Sequence, residues 1–322
     1  MSKKAKNTEK FKSKIGGQAL IEGIMMRGIT KSAMACRLPN GEIDVEVWDI
    51  KNGKNAPWYR KVPFIRGTFN FVYSMVEGYQ CMMKSIDKQE LGEEEEEKKG
   101  KLEEWIDSKL EKCDDKKVMA VISVLSVVLS LGLTLVLFKF VPMLMSSFLG
   151  YLGVPDVAKT IAEGVLRLAI LVAYMKVVSL TPMMKTTFMY HGAEHKTIAC
   201  YEHGEELTVE NVRKHTRFHK RCGTSFLLIT VLIAIIVGMF LSWDNIWIRL
   251  GMQLLLVPVE ASVAYELIKL AGRYDNVLTA VLSAPGLWLQ RITTYEPTDA
   301  QIECAIAAIK PCIPEDCEED KW

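Results

Sequence analysis

The sequence predicts a mainly α-helical membrane protein, a polytopic bundle of about four spans with a small N-terminal cytoplasmic α+β module. Three observations carry that expectation. The 322 residues are 49% hydrophobic with a mean hydropathy of +0.12, yet 25% are charged, so apolar spans alternate with charged aqueous parts. Two long runs, Val118–Phe138 and Phe226–Trp243, carry almost no charge. Finally, AMACRLPNGEIDVEVWDI places an Asn40-Gly41 turn between two short β-like stretches, which is the strongest local hairpin signal.

In chain order, the basic start MSKKAKNTEKFKSK runs directly into GGQALIEG. It lacks the apolar core and small-residue cleavage site of a signal peptide. GGQALIEGIMMRG holds Gly16, Gly17, Gly23 and Gly28 around Glu22 and Arg27. That spacing does not match a phosphate loop; it predicts turns or close backbone packing, with Glu22 and Arg27 within reach of a site. After the hairpin, VPFIRGTFNFVYSMVEGYQCMMKSI repeats Phe64, Phe71, Met75, Tyr79 and Met82 at helical spacing. Its apolar face is expected to pack on the bundle, with the membrane interface as the alternative. Residues 1–92 thus form the cytoplasmic module, and 93–117 an acidic linker, LGEEEEEKKGK, with a short helix, EEWIDSKLEKC.

Residues 118–274 read as the bundle. The Val118–Phe138 run, about 20 residues, suffices to cross about 30 Å of hydrocarbon. Two further spans carry charge: Ile161–Leu180 contains Glu163, Arg167 and Lys176, and Ile246–Leu270 contains Arg249, Glu260 and Glu266. Each charge costs roughly 3 kcal/mol at a helix centre, so these groups are expected to pair inside the bundle. Lys185 to Arg221 carries seven lysines and arginines, whereas Pro142 to Lys159 carries one and SWDN none. The positive-inside rule therefore places the histidine loop, 182–223, and both termini in the cytoplasm of a multi-pass protein of the cell membrane. Residues 275–322 complete the cytoplasmic part, ending in KPCIPEDCEEDKW, read as a flexible acidic tail. The eight cysteines include no CxxC pair and are expected to be reduced.

All five histidines, at 191, 195, 203, 215 and 219, fall in that loop. His191, Glu194 and His195 form H-x-x-E-H, whose offsets of three and four put the side chains on one helix face. Two neutral imidazoles there can hold a divalent metal, with zinc the expected ion, and the carboxylate can take a proton from a water the metal polarises. A third ligand is required, and His219, Cys222, His203 and Glu266 are the candidates. Arg221 or Arg27 would stabilise developing negative charge. A structural metal closed by His219 or Cys222, or a plain surface helix, is the alternative. No Ser-His-Asp spacing and no nucleic-acid motif is recognisable, so no specific nucleic-acid partner is expected.

GGQALIEGIMMRG, YHGAEHKTI, RCGTSF and PGLWLQRITTYEPTDAQIECAIAA, in that order between about Ile15 and Ala308, resemble the YqhQ family. This is a group of bacterial inner-membrane proteins classed as a domain of unknown function and labelled predicted metal-dependent enzymes. The resemblance implies a polytopic membrane protein and singles out Glu22, Arg27, His191, Glu194, His195, Arg221, Cys222 and Glu266. Where the family commonly has a proline before the arginine of RCGTSF, this chain has Lys220, which loosens the approach to Cys222. Two functions follow as expectations. One is an integral membrane, zinc-dependent hydrolase with Glu194 as general base. The other is a non-enzymatic factor that assists insertion, assembly or scaffolding of a membrane-protein partner in the lipid bilayer, with at most a structural metal.

Overall fold

In the computed structural model, which describes residues 11–50, 57–89, 115–274, 276–316 and 319–321, the N-terminal sequence makes an antiparallel meander. Its strands are β1 (Gly16–Leu20), β2 (Gly23–Arg27), β3 (Lys31–Arg37) and β4 (Ile43–Asp49). The expected hairpin is the β3–β4 pair, in register from Lys31 opposite Asp49 to Arg37 opposite Ile43, and Gly41 turns it with φ +88°. The glycine-rich block read as turns is itself the β1–β2 hairpin, with Gly17 opposite Met26. Its tight turn holds Glu22 at φ +47°, a left-handed conformation uncommon for a non-glycine residue.

Alternation along these strands builds three layers. Ile24, Met26, Ala33 and Ala35 face one core, while Leu20, Met25, Met34 and Cys36 face another. The second core is closed by Cys81 of α1 (Ile65–Lys88). That helix does not bury the apolar face the sequence suggested. It turns Gly67, Glu77, Gly78, Cys81 and Ser85 inward, and leaves Phe64, Met75 and Tyr79 more than half exposed. Small residues allow the helix backbone to lie close to its neighbours: a Cβ on Gly67 would stand 2.7 Å from Ser262 Cα. Of the larger side chains, Phe71 stacks on Phe226 at 4.9 Å and Met82 packs on the second core, while Phe64, Met75 and Tyr79 point away.

The linker and the short helix expected at 93–113 lie outside the described residues. The chain continues as α2 (Asp115–Leu135), a π-helical turn over Val136–Phe140, and α3 (Val141–Ser147). Leu125–Leu152 is, among the described residues, the one helical segment long and apolar enough to cross a membrane, and only 11% of its most apolar window is buried. The other three expected spans are present as helices that fall short of that standard for distinct reasons. α4 (Asp156–Val178) and α8 (Ile246–Arg273) carry the charges noted above. α7 (Gly223–Gly238) is uncharged but has 16 residues, about 24 Å at 1.5 Å per residue.

The buried charges of α4 and α8, Glu163, Arg167, Arg249 and Glu260, are paired. Glu163 bonds Arg167 at 2.6 Å, Arg249 at 3.0 Å and Gln253 at 2.7 Å, while Lys139 approaches Glu260 at 3.4 Å. Arg167 Nε also donates to the Phe138 carbonyl, at 2.8 Å, within the π-helical turn. Pairing of this kind is how buried charge is tolerated in an apolar bundle, although Arg249 Nε is left without a partner.

The histidine segment is helical: α5 (Pro182–Glu202) and the short α6 (Val209–Lys214). The C-terminal segment is neither separate nor a loose tail. α9 (Val277–Thr293) packs on α7, where Gly286 lies so near Ser225 that a Cβ would meet its Cα at 2.7 Å. α10 (Asp299–Ile309) places Ile302, Ala305 and Ile309 in the core shared by β2, β3 and α5. Cys312 is buried with its thiol 3.2 Å from the Met26 carbonyl, and Lys14 N–H donates to the Asp320 carbonyl at 2.9 Å. Apolar burial along α10 outweighs the acidic character of the last residues. Cys317 is outside the described residues.

Candidate functional site

The helical offsets bring His191 and His195 onto one face of α5, ring centroids 4.4 Å apart, and α7 begins at its N-cap, Cys222, directly opposite. One ligand atom of each of His191, His195 and Cys222 lies within 4.8 Å of the others. His191 Nε2 stands 3.1 Å from Cys222 Sγ. Both imidazoles are fixed from behind. His191 Nδ1–H donates to the Thr293 carbonyl at 2.8 Å, and His195 Nδ1–H to the Arg217 carbonyl at 2.6 Å. A carbonyl accepts but never donates, so each Nδ1 must hold the proton in the neutral ring and each Nε2 presents a lone pair. Thr224 Oγ1 lies 3.3 Å from Cys222 Sγ.

His219 approaches from the side, its ring 5.4 Å from that of His195. Its backbone is clamped by Gln290, which accepts from His219 N–H at 2.8 Å and donates to the His219 carbonyl at 2.7 Å. Its Nε2 accepts from Arg221 at 3.1 Å. Burial, then the Arg221 charge and the neighbouring imidazoles, hold its pKa well below the ordinary histidine range, so the ring is neutral at neutral pH. With Nε2 engaged by Arg221, His219 is a neighbour of the three-donor cluster. Arg221 is in turn ion-paired with the buried Glu202, which also accepts from Ser13 N–H at 2.8 Å.

Glu194 occupies the adjacent turn, 5% exposed and beneath β1. The Gly17 N–H donates to its carboxylate, yet Oε2 has no partner. Burial raises its pKa to about 7, against the lowering effects of His191 and the Gly17 N–H. A cavity of about 470 Å³ joins these groups: Glu194, the two histidines and Cys222 on one side, Met82, Met175, Met184, Phe188 and Leu227 on the other.

The remaining expected residues lie elsewhere. Glu266, considered as a third ligand, is bound through both oxygens by Arg66, at 2.7 and 2.5 Å, and accepts from Phe64 N–H at 3.2 Å. Arg27 pairs with Glu77 on the α1 side of the sheet and stacks over Tyr73 at 4.6 Å, away from the cluster. Glu22 accepts from Tyr190 Oη at 3.1 Å in the β1–β2 turn. Sequence reasoning missed the two orienting carbonyls and the role of Gly17. The glycine density was the available signal for the latter; nothing local signals the carbonyls.

Fold and site together define a mainly helical protein with a small antiparallel sheet, a strongly apolar exposed helix, and a buried His/His/Cys cluster beside an unpaired carboxylate. A family model described as "Protein of unknown function (DUF1385)" matches residues 62–315, and the chain belongs to that family. It is also 33% identical over 310 residues to "Uncharacterized protein YqhQ" of Bacillus subtilis (strain 168), covering 92% of each chain. No solved structure matches.

Proposed function

We propose that this chain is a membrane-embedded metal-binding protein acting as a zinc-dependent hydrolase, with its site at the cytoplasmic mouth of a four-span bundle. The observation that carries the reading is the convergence of His191, His195 and Cys222 beside a buried carboxylate with a free oxygen. Two imidazoles and a thiol are a donor set that suits zinc, and three protein ligands leave a fourth position for water or substrate. A metal held there supplies a Lewis acid. His191, His195 and Cys222 would hold it, the two imidazoles offering Nε2 while their Nδ1–H groups are held by Thr293 and Arg217. Glu194, poised near neutrality, takes a proton from the attacking water and returns it to the leaving group. The methionine-lined wall receives an apolar acyl chain or side chain, so a peptide or a lipid-derived ester fits.

Metal content of the detergent-purified protein tests the first half: His191→Ala/His195→Ala should lose about one equivalent relative to wild type. Hydrolysis of a p-nitrophenyl acyl ester tests the second. Glu194→Gln should keep the metal and lose roughly 10²-fold or more in rate. A wild type that holds no metal when purified without chelators overturns the reading, and so does an unchanged rate in Glu194→Gln.

One observation favours the non-enzymatic alternative, a factor that assists another membrane protein. The outward face of α1, with Phe64, Phe69, Val72, Met75, Val76 and Tyr79 exposed, is an apolar surface a membrane partner would cover. Under that reading Glu194→Gln leaves partner capture by crosslinking intact and Met75→Asp abolishes it.

A further inference from the structure

The histidines divide into two groups, and the second group is a site in its own right. His203 and His215 are separated from the cluster at His191: their rings lie 4.6 Å from one another, at the turn between α5 and α6. Cys200 ends the last turns of α5, Glu205 follows the left-handed Gly204 (φ +64°), and His215 caps α6. One ligand atom each of Cys200, Glu205 and His215 lies within 4.8 Å of the other two. Cys200 is fully buried and His215 is 7% exposed, while Glu205 is partly open to solvent.

We propose that Cys200, Glu205 and His215 form a second, structural metal site for a zinc-like divalent cation, with the His203 ring beside it. Charge supports the assignment. A thiolate and a carboxylate neutralise a divalent ion, so the assembled site can be buried without net charge. Existing contacts of these groups are weak. The Cys200 thiol reaches the Glu206 carbonyl only at 3.7 Å, and Glu205 Oε2 stands 3.3 Å from His215 Nε2. His203 Nδ1–H donates to the Ala199 carbonyl at 2.6 Å, which leaves Nε2 as the ring's available lone pair. All three residues come from one sixteen-residue stretch, so a metal there would tie the end of α5 to the end of α6. Binding releases the Cys200 thiol proton to solvent, and no oxidation or reduction is involved.

The consequence is positional. His215 is followed directly by the segment that supplies the Arg217 carbonyl holding His195, then His219, then Cys222. A metal clamping the α5–α6 turn fixes the start of that segment. The proposal stands on different residues from the hydrolase reading and survives if that reading fails.

The test is zinc per chain in the full-length, detergent-purified protein. Wild type should hold two equivalents, and His191→Ala/His195→Ala and Cys200→Ala/His215→Ala one each. If Cys200→Ala/His215→Ala holds as much zinc as wild type, the second site is overturned. Because that variant can misfold, X-ray absorption at the zinc edge on His191→Ala/His195→Ala/Cys222→Ala supplies an independent readout. The remaining zinc should show one sulfur ligand; zinc without sulfur, or no zinc, overturns the proposal. Zinc present in wild type but lost only with Cys200 and His215 supports this site and rejects the first.

Discussion

Glu194 has room for its carboxylate because residue 17 has no side chain. A Cβ at Gly17 would stand 2.9 Å from the Glu194 carboxyl carbon and 2.7 Å from the Met25 carbonyl, so Gly17→Ala must displace the acid or β1. Overpacking of this kind costs about 1–3 kcal/mol, and we expect a lowered Tm in Gly17→Ala, with Gly16→Ala, where nothing lies nearby, as the neutral control. Equal melting of the two would show that the close approach is unimportant. Burial acts on the thiols too: it pushes Cys36, Cys304 and Cys312 up to about 12. At pH 8 about one part in ten thousand of each is thiolate, so iodoacetamide should leave all three unmodified in the native protein and alkylate them after unfolding. Peptide mapping that finds them alkylated under native conditions would contradict the packing described. At this scale the sequence exposed the H-x-x-E-H pattern, because three- and four-residue offsets are local. It left Cys222, His219, His203 and Glu266 as competing third ligands, because only tertiary packing commits Glu266 to Arg66, His219 Nε2 to Arg221 and His203 to the side of His215.

Helices were legible as elements and strands less so. Apolar runs and amphipathic spacing located α1, α2, α4, α7 and α8, whereas β1 opens with two glycines, has low strand propensity, and forms by pairing along the buried β2. α1 divides the apolar face the sequence showed: Gly67 and Phe71 make the close contacts with α8 and α7, while Phe69, Met75 and Tyr79 stay exposed. The charges in α4 and α8 show the reverse case, where an apparent defect in an apolar run signals pairing. Glu163 answers two buried guanidinium groups at once. Glu163→Ala leaves Arg167 and Arg249 without their carboxylate, and removing one partner from such a buried network costs about 3–5 kcal/mol. We expect a markedly lower unfolding midpoint in detergent for Glu163→Ala, with the metal content per folded chain unchanged. A midpoint equal to that of wild type would mean the network does not hold the bundle.

Across the whole molecule, the ends of the chain share a core that sequence order concealed: α10 packs under β2 and β3, and Asp320 bonds Lys14. The His191, His195 and Cys222 cluster sits where this body meets the apolar helices, since His191 and His195 lie on α5 while Cys222 opens α7. That placement makes orientation testable. Leu125–Leu152 satisfies length and apolarity alone, whereas α4 and α8 can cross only with their charges paired, and α7 only where the bilayer is thinned or the flanking residues reach the interface. If all four cross, the far end of Leu125–Leu152 and the sparsely charged 153–159 connection lie outside, and the lysine- and arginine-rich segment around α6 inside. Tyr151 is 87% exposed and Lys214 is exposed, so each accepts a reporter thiol. With Cys113 and Cys317 changed to Ser, a membrane-impermeant maleimide should label Tyr151→Cys in intact cells and Lys214→Cys only after permeabilisation. Labelling of Lys214→Cys from outside would invert the orientation and put the cluster on the other face. Protection of Tyr151→Cys until permeabilisation would mean that the chain turns back without crossing, leaving Leu125–Leu152 as an anchor embedded from one side.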